Sequence, residues 1–215
     1  MFGYTFFKRS ALRACAVSQL ADLTLIQQPD VNLVYWDRIL TSGQQDFFQS
    51  LLPEFTGFQG TVDAAEIDAF LRTNLLREVG GGAEAAAWAD ELVAATQVFL
   101  SLTRAQRAQI IVKKVADDAC RKFHTDRYDL RLFCTYVGKG TEWLADAYVN
   151  RKALVTGTNE EIVRDWTQVK RLAPGQIAIF QGEASSENRN KGIVHRSPPI
   201  EREGGQRIIF RVDPV

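Results

Sequence analysis

The sequence predicts an α+β chain: a mainly helical part over residues 1–107 packed on a β-barrel or jelly roll over residues 108–215, together one domain. Three observations carry this expectation. Apolar residues recur at helical spacing through much of the first half. After about residue 108 they give way to short β-branched runs separated by turn residues, the texture of an all-β sandwich or barrel. No linker rich in Pro, Gly or Ser divides the two halves.

Val31–Trp36 (VNLVYW) is a short β-rich run and predicts an isolated strand. A helix is predicted over 41–52, opened by Thr41-x-x-Gln44, with Phe47, Phe48, Leu51 and Leu52 on one face and Pro53 as its stop. Asp63-x-x-Glu66 reads as a capping box for a second helix bearing Ile67, Phe70, Leu71 and Leu75, which Gly80-Gly81-Gly82 ends. A third helix starts near Ala83 and puts Trp88, Leu92 and Phe99 on one stripe. Strands are predicted over 109–115 and 131–137. Pro174-Gly175 is a turn before a strand over 176–180. Two more strands follow, Gly192–His195 and, past Gly204-Gly205, Arg207–Val212.

Composition narrows the function. The chain of 215 residues carries 26 Lys+Arg and 26 Asp+Glu, a net charge of zero. A general binder of nucleic acid or of anionic membranes needs a basic surplus to displace counterions. Apolar residues at 46% and charged residues at 24% are ordinary for a globular chain with a real core. Three cysteines, Cys15, Cys120 and Cys134, make no disulfide framework and point to a reducing compartment. No apolar run approaches the roughly 20 residues that span a bilayer. Lys8, Arg9 and Arg13 break up the N-terminus, so the expectation is a soluble, cytoplasmic protein.

The chemistry centres on the two histidines. In a strand, residues i and i+2 face the same way, so Phe123-His124-Thr125-Asp126 projects an imidazole and a carboxylate together. These are two-thirds of the 2-His-1-carboxylate triad of non-haem Fe(II) oxygenases. His195, after the apolar Gly192-Ile193-Val194, is the one histidine left to complete it. Arg207, Ile209 and Arg211 share a strand face beyond it. A guanidinium inside a barrel needs an anionic partner, which a dicarboxylate co-substrate would supply bidentately.

His124-x-Asp126, His195 and Arg207, in that order and at roughly those spacings, resemble the Fe(II)/2-oxoglutarate-dependent dioxygenases. Arg131, Thr135 and Tyr136 resemble residues after the first histidine in prolyl-hydroxylase-like members. Gly138-x-Gly140-Thr141 and Pro174-Gly175 resemble their turns. FHTDRYDLRLFCTYVGKGTEWL with GIVHRSPPIEREGGQRIIFRVD is similar to the bacterial domain of unknown function 1826 family, which supplies no established activity. The dioxygenase resemblance implies a double-stranded β-helix (jelly-roll, cupin-like) core. It also implies Fe(II) on His124, Asp126 and His195, and 2-oxoglutarate as co-substrate. Arg207 or Arg211 would hold the distal carboxylate, with Arg131, Thr135 and Tyr136 nearby. Arg207 has the more prolyl-hydroxylase-like offset. The substrate would be an unidentified small molecule or peptide. The alternative is a zinc protein of the same barrel shape, the same three residues closing a tetrahedral site with water. The family's placement near zinc-responsive genes is in keeping with that alternative.

Other residues invite blander readings. Cys120 shares the parity of His124 if the strand is unbroken, but a small buried hydrophobe is the commoner role, and Cys134 reads as core. Tyr136 and Trp143 could line a pocket, though aromatics at strand spacing more often pack. Ser185–Lys191 reads as a solvated loop. Lys113-Lys114 and Arg121-Lys122 read as exposed strand faces.

Overall fold

The computed structural model describes residues 11–215. Lys8 and Arg9, two of the charges set against a leader segment, lie outside the described residues. The chain runs β1 (Arg13–Val17), β2 (Val31–Trp36), α1 (Ser42–Leu51), β3 (Gly57–Asp63), α2 (Ile67–Val79), α3 (Ala83–Thr103), β4 (Arg107–Val115), β5 (Leu130–Val137) and β6 (Glu142–Leu144). It continues through α4 (Asn159–Ile162), β7 (Lys170–Arg171), β8 (Ala178–Gln181), β9 (Val194–Arg196) and β10 (Arg207–Pro214). Seven strands form one sheet in the order β1-β2-β8-β5-β10-β4-β3, antiparallel except for the β1–β2 pair. A second, antiparallel sheet has the order β7-β6-β9.

The expectation of a helical first part therefore needs correcting. Among its described residues it contributes three α-helices and also three strands, and β1, β2 and β3 belong to the large sheet. Val31–Trp36 is a strand, but it is paired on both sides rather than isolated. The glycines of Gly57–Asp63 (GFQGTVD) hide its alternation of Phe58 and Val62. The Thr41 capping box forms: its hydroxyl accepts from the Gln44 amide at 3.3 Å, and the Gln44 side chain accepts from the Thr41 amide at 3.0 Å. The Asp63 box does not. Asp63 ends β3 and its carboxylate meets Arg107 of the neighbouring strand at 2.9 Å, while a single turn of 3₁₀ helix leads into α2.

The helices cover one face of the large sheet. Phe48, Leu71, Trp88, Leu92 and Phe99 pack there against Ile110, Val112, Leu132, Cys134, Tyr136, Ile208, Phe210 and Val212. On the other face Leu33, Ala178 and Phe180 of the large sheet pack with Trp143, Leu172 and Ile193. Strand pleating makes this two-sided use automatic, since successive side chains leave opposite faces. Among the described residues, no helix is long and apolar enough to cross a membrane.

Candidate metal centre and its cavity

His124 and Asp126 converge with His195, but not by the route the spacing suggested. Residues 123–126 are not in a regular strand. Instead His124 makes a two-bond bridge to β9: its amide donates to the His195 carbonyl and the His195 amide donates to the His124 carbonyl, both at 3.0 Å. That pairing puts the imidazole centroids 4.6 Å apart. One potential ligand atom from each of His124, Asp126 and His195 lies within 4.8 Å of the others.

The ring nitrogens are sorted by backbone carbonyls. Nδ1 of His124 lies 2.8 Å from the Lys122 carbonyl, and Nδ1 of His195 lies 3.1 Å from that of Ile193. A carbonyl only accepts, so each Nδ1 carries a proton and Nε2 is the nitrogen turned toward the other donors. Burial pushes the His195 imidazole down to about 4, which keeps it neutral at physiological pH. Asp126 is buried. One of its oxygens is held by the Arg131 guanidinium; the other is buried without a hydrogen-bond partner and lies 3.6 Å from His195 Nε2. Two imidazole Nε2 atoms and an orphaned carboxylate oxygen are a donor set that fits a divalent cation. The carbonyls and Arg131 are the outer partners such ligands usually have.

Arg131 also reaches Asp213, Nε to Oδ1 at 2.5 Å, and Arg211 meets the same carboxylate at 2.8 Å. Asp213 is fully buried, and the sequence reading missed it. Its signal was its place on the face of Arg207 and Arg211, two residues past the latter.

Arg207 differs from both other arginines. It is 2% exposed, its Nε has no hydrogen-bond partner, and no carboxylate pairs with it among the described residues. Its one side-chain bond is to the Thr135 hydroxyl at 3.0 Å, and its guanidinium carbon sits 5.8 Å from the Phe133 ring centre. Burial alone lowers its pKa to about 10. Gly138, at φ +83°, lets the β5 end press against it: a Cβ there would sit 2.3 Å from the Gln206 carbonyl oxygen and 3.1 Å from Arg207 Cγ.

His124, His195, Arg131, Arg207 and Arg211 all line one cavity of about 230 Å³, with Phe133 and Phe180 among its apolar walls. Tyr136 does not. It lies on the opposite face of the sheet, where its hydroxyl donates to Glu91 at 2.7 Å beside Trp88 and Phe48. One step in strand parity separates it from Thr135, so the expected role beside the co-substrate is corrected to a packing role. Cys120 is exposed at the cavity rather than among the clustered donors, and Cys134 is core.

One solved structure shares this fold at low identity, and others are similar at lower scores. Dioxygenase for auxin oxidation 1 from Arabidopsis thaliana, solved as a binary complex with 2-oxoglutarate, is 10% identical. Its TM-score is 0.51, covering 95% of this chain and 92% of that one. The rice dioxygenase for auxin oxidation (12% identical, TM-score 0.49) is covered over 83% of its length and 95% of this chain. A Pseudomonas putida prolyl-4-hydroxylase (12% identical, TM-score 0.44) is covered over 98% of its length and 91% of this chain. A comparison with curated proteins gives no match. Residues 17–213 match the family described as "Protein of unknown function (DUF1826)", and the chain belongs to that family.

Proposed function

We propose that this chain is a non-haem Fe(II)/2-oxoglutarate-dependent oxygenase of a small molecule or peptide. In this reading His124, Asp126 and His195 are the metal ligands and Arg207 holds the distal carboxylate of the co-substrate. Fe(II) and 2-oxoglutarate, when bound, supply the oxidising chemistry through oxygen activation coupled to decarboxylation. The chain's own residues do the rest. The carbonyls of Lys122 and Ile193 fix the histidine tautomers. Arg131 orients Asp126, and Thr135 steadies the Arg207 fork. Phe133 and Phe180 keep the cavity floor apolar. We also read the facing sheets as the two halves of a jelly roll, and the chain as one domain. The core cluster that runs from Val17 to Val212 supports one domain, and the packing of Leu33 and Phe180 against Trp143 supports the facing sheets.

The observation that carries the proposal is Arg207. An unpaired buried cation is costly, and Arg207 lines the same cavity as His124 and His195, whose ligand atoms cluster with that of Asp126. A zinc site without a co-substrate has no use for it. The test is anaerobic Fe(II) titration with and without 2-oxoglutarate, followed by succinate assay in air. A weak visible charge-transfer band should need both additions, vanish in His195→Ala, and need more 2-oxoglutarate in Arg207→Lys, which keeps the charge but loses the bidentate fork. Tight Zn(II) binding with neither 2-oxoglutarate binding nor succinate would sink the oxygenase.

A further inference from the structure

We infer that the substrate of this site is itself an organic anion, bound where Lys113 and Arg211 meet beside the metal donors. The inference rests on the oxygenase reading and deepens it.

Charge is the first observation. Lys113, Arg131, Arg207 and Arg211 all line the cavity, and the two buried acids that could answer them are Asp126 and Asp213. Both acids are already engaged: Asp126 by Arg131, and Asp213 by Arg131 and Arg211 together. Four cations against two acids leave two positive charges before the histidines are counted. A divalent metal and a dicarboxylate co-substrate cancel each other, so the surplus survives loading. Asp117 at the mouth removes at most one charge, and its carboxylate already accepts from the Ala119 amide. Arg196 does not add to the count, since Glu142 pairs with it at 2.8 Å.

Register is the second observation. Ile209 of β10 faces Lys113 of β4, so Lys113 and Arg211 are diagonal neighbours on one face. Diagonal pairs sit about 7–8 Å apart, close enough for two long side chains to grip one anion. Lys113 has no ion pair among the described residues, and Arg211 Nε is buried without a hydrogen-bond partner. Arg207 leans the other way, toward Thr135 and Phe133 of β5. The sheet thus offers separate partners for two anions. Cys120, Asp117 and Lys113 are exposed, which places the open side of the cavity at the Lys113 end.

The test uses the full chain saturated with Mn(II) and N-oxalylglycine, a redox-inert mimic of 2-oxoglutarate that fills the Arg207 subsite. Fluorine NMR then titrates two matched pairs, 4-fluorophenylacetate against 4-fluorophenylacetamide and trifluoroacetate against trifluoroacetamide. In at least one pair the acid should bind about tenfold tighter than the amide, the weight of one charge-assisted hydrogen bond. Lys113→Gln, on an exposed strand position, and Arg211→Gln should each erode that preference. Equal affinity for acid and amide in both pairs, absence of binding, or a preference untouched by both variants overturns the inference. Calorimetry of Mn(II) and N-oxalylglycine is the separate check on the oxygenase reading. If those do not bind, the acid–amide comparison is repeated without them, and the Lys113→Gln result still decides the anion site.

Discussion

The two faces of the large sheet use the same strands for opposite purposes. Toward the helices, β5 presents Leu132, Cys134 and Tyr136, and β10 presents Ile208, Phe210 and Val212. Toward the cavity, β5 presents Arg131 and Phe133 with Thr135 beside them, and β10 presents Arg207, Ile209 and Arg211. The first face satisfies nearly everything it buries. The second buries an unpaired guanidinium and an orphaned carboxylate oxygen. The difference teaches where packing and polar chemistry separate: one face has almost nothing left to pair, and the other buries charge without a partner, the pattern on which the proposed function rests.

The largest test of that division falls on the helix face. Phe210 is fully buried in the main cluster, and Phe210→Ala should cost about 3–5 kcal/mol of unfolding free energy by urea denaturation. Metal and 2-oxoglutarate affinity per folded molecule should hold. If ligand affinity falls along with stability, the two faces are not separable.

On the cavity face the sign reverses. Burial holds the Arg207 guanidinium at about 10, below its ordinary value. A base depressed on folding binds fewer protons when folded than when unfolded, so wild-type stability rises as pH climbs above about 10 and the charge is a cost below it. Arg207→Met should therefore stabilise the ligand-free protein at neutral pH, by up to about 3 kcal/mol. The gap should narrow at high pH, and it should shrink when Fe(II) and 2-oxoglutarate bind the wild type. A destabilised Arg207→Met protein would mean that Arg207 is structural.

How much of this was legible in the sequence follows the same division. The residues that lie together in the structure are ones that His-x-Asp, the lone remaining histidine and the arginine beyond it singled out by residue type. The local geometry was not legible. His124 is positioned by a bridge to His195, a pairing 71 residues apart that no window of strand periodicity contains. Asp213 escaped notice because its value comes from Arg131, a strand away. The α1, α2 and α3 helices were readable from apolar spacing, whereas β1 and β3 were not. Arg13–Val17 is short and small-chained, and β3 is interrupted by glycine. Tyr136 was misplaced by one residue of parity, the smallest error a strand allows and one that moves a side chain through the sheet.

Tyr136 therefore gives the smallest and sharpest test of the division. Its hydroxyl donates to Glu91, which Arg38 also holds at 2.6 Å. Burial and the Glu91 charge raise the phenol well above its ordinary pKa, so it stays a neutral donor across the working range. Tyr136→Phe removes one hydrogen bond and leaves the ring packed against Phe48 and Trp88. Because Arg38 keeps Glu91 paired, the cost should be about 1.5 kcal/mol, at the low end for a bond to a charged acceptor. The decisive reading is 2-oxoglutarate affinity, measured by the charge-transfer titration of the Fe(II)-loaded protein. It should not change, since the sheet stands between this hydroxyl and the cavity. A tenfold loss of affinity with stability intact would put Tyr136 back beside the co-substrate and break the two-face account.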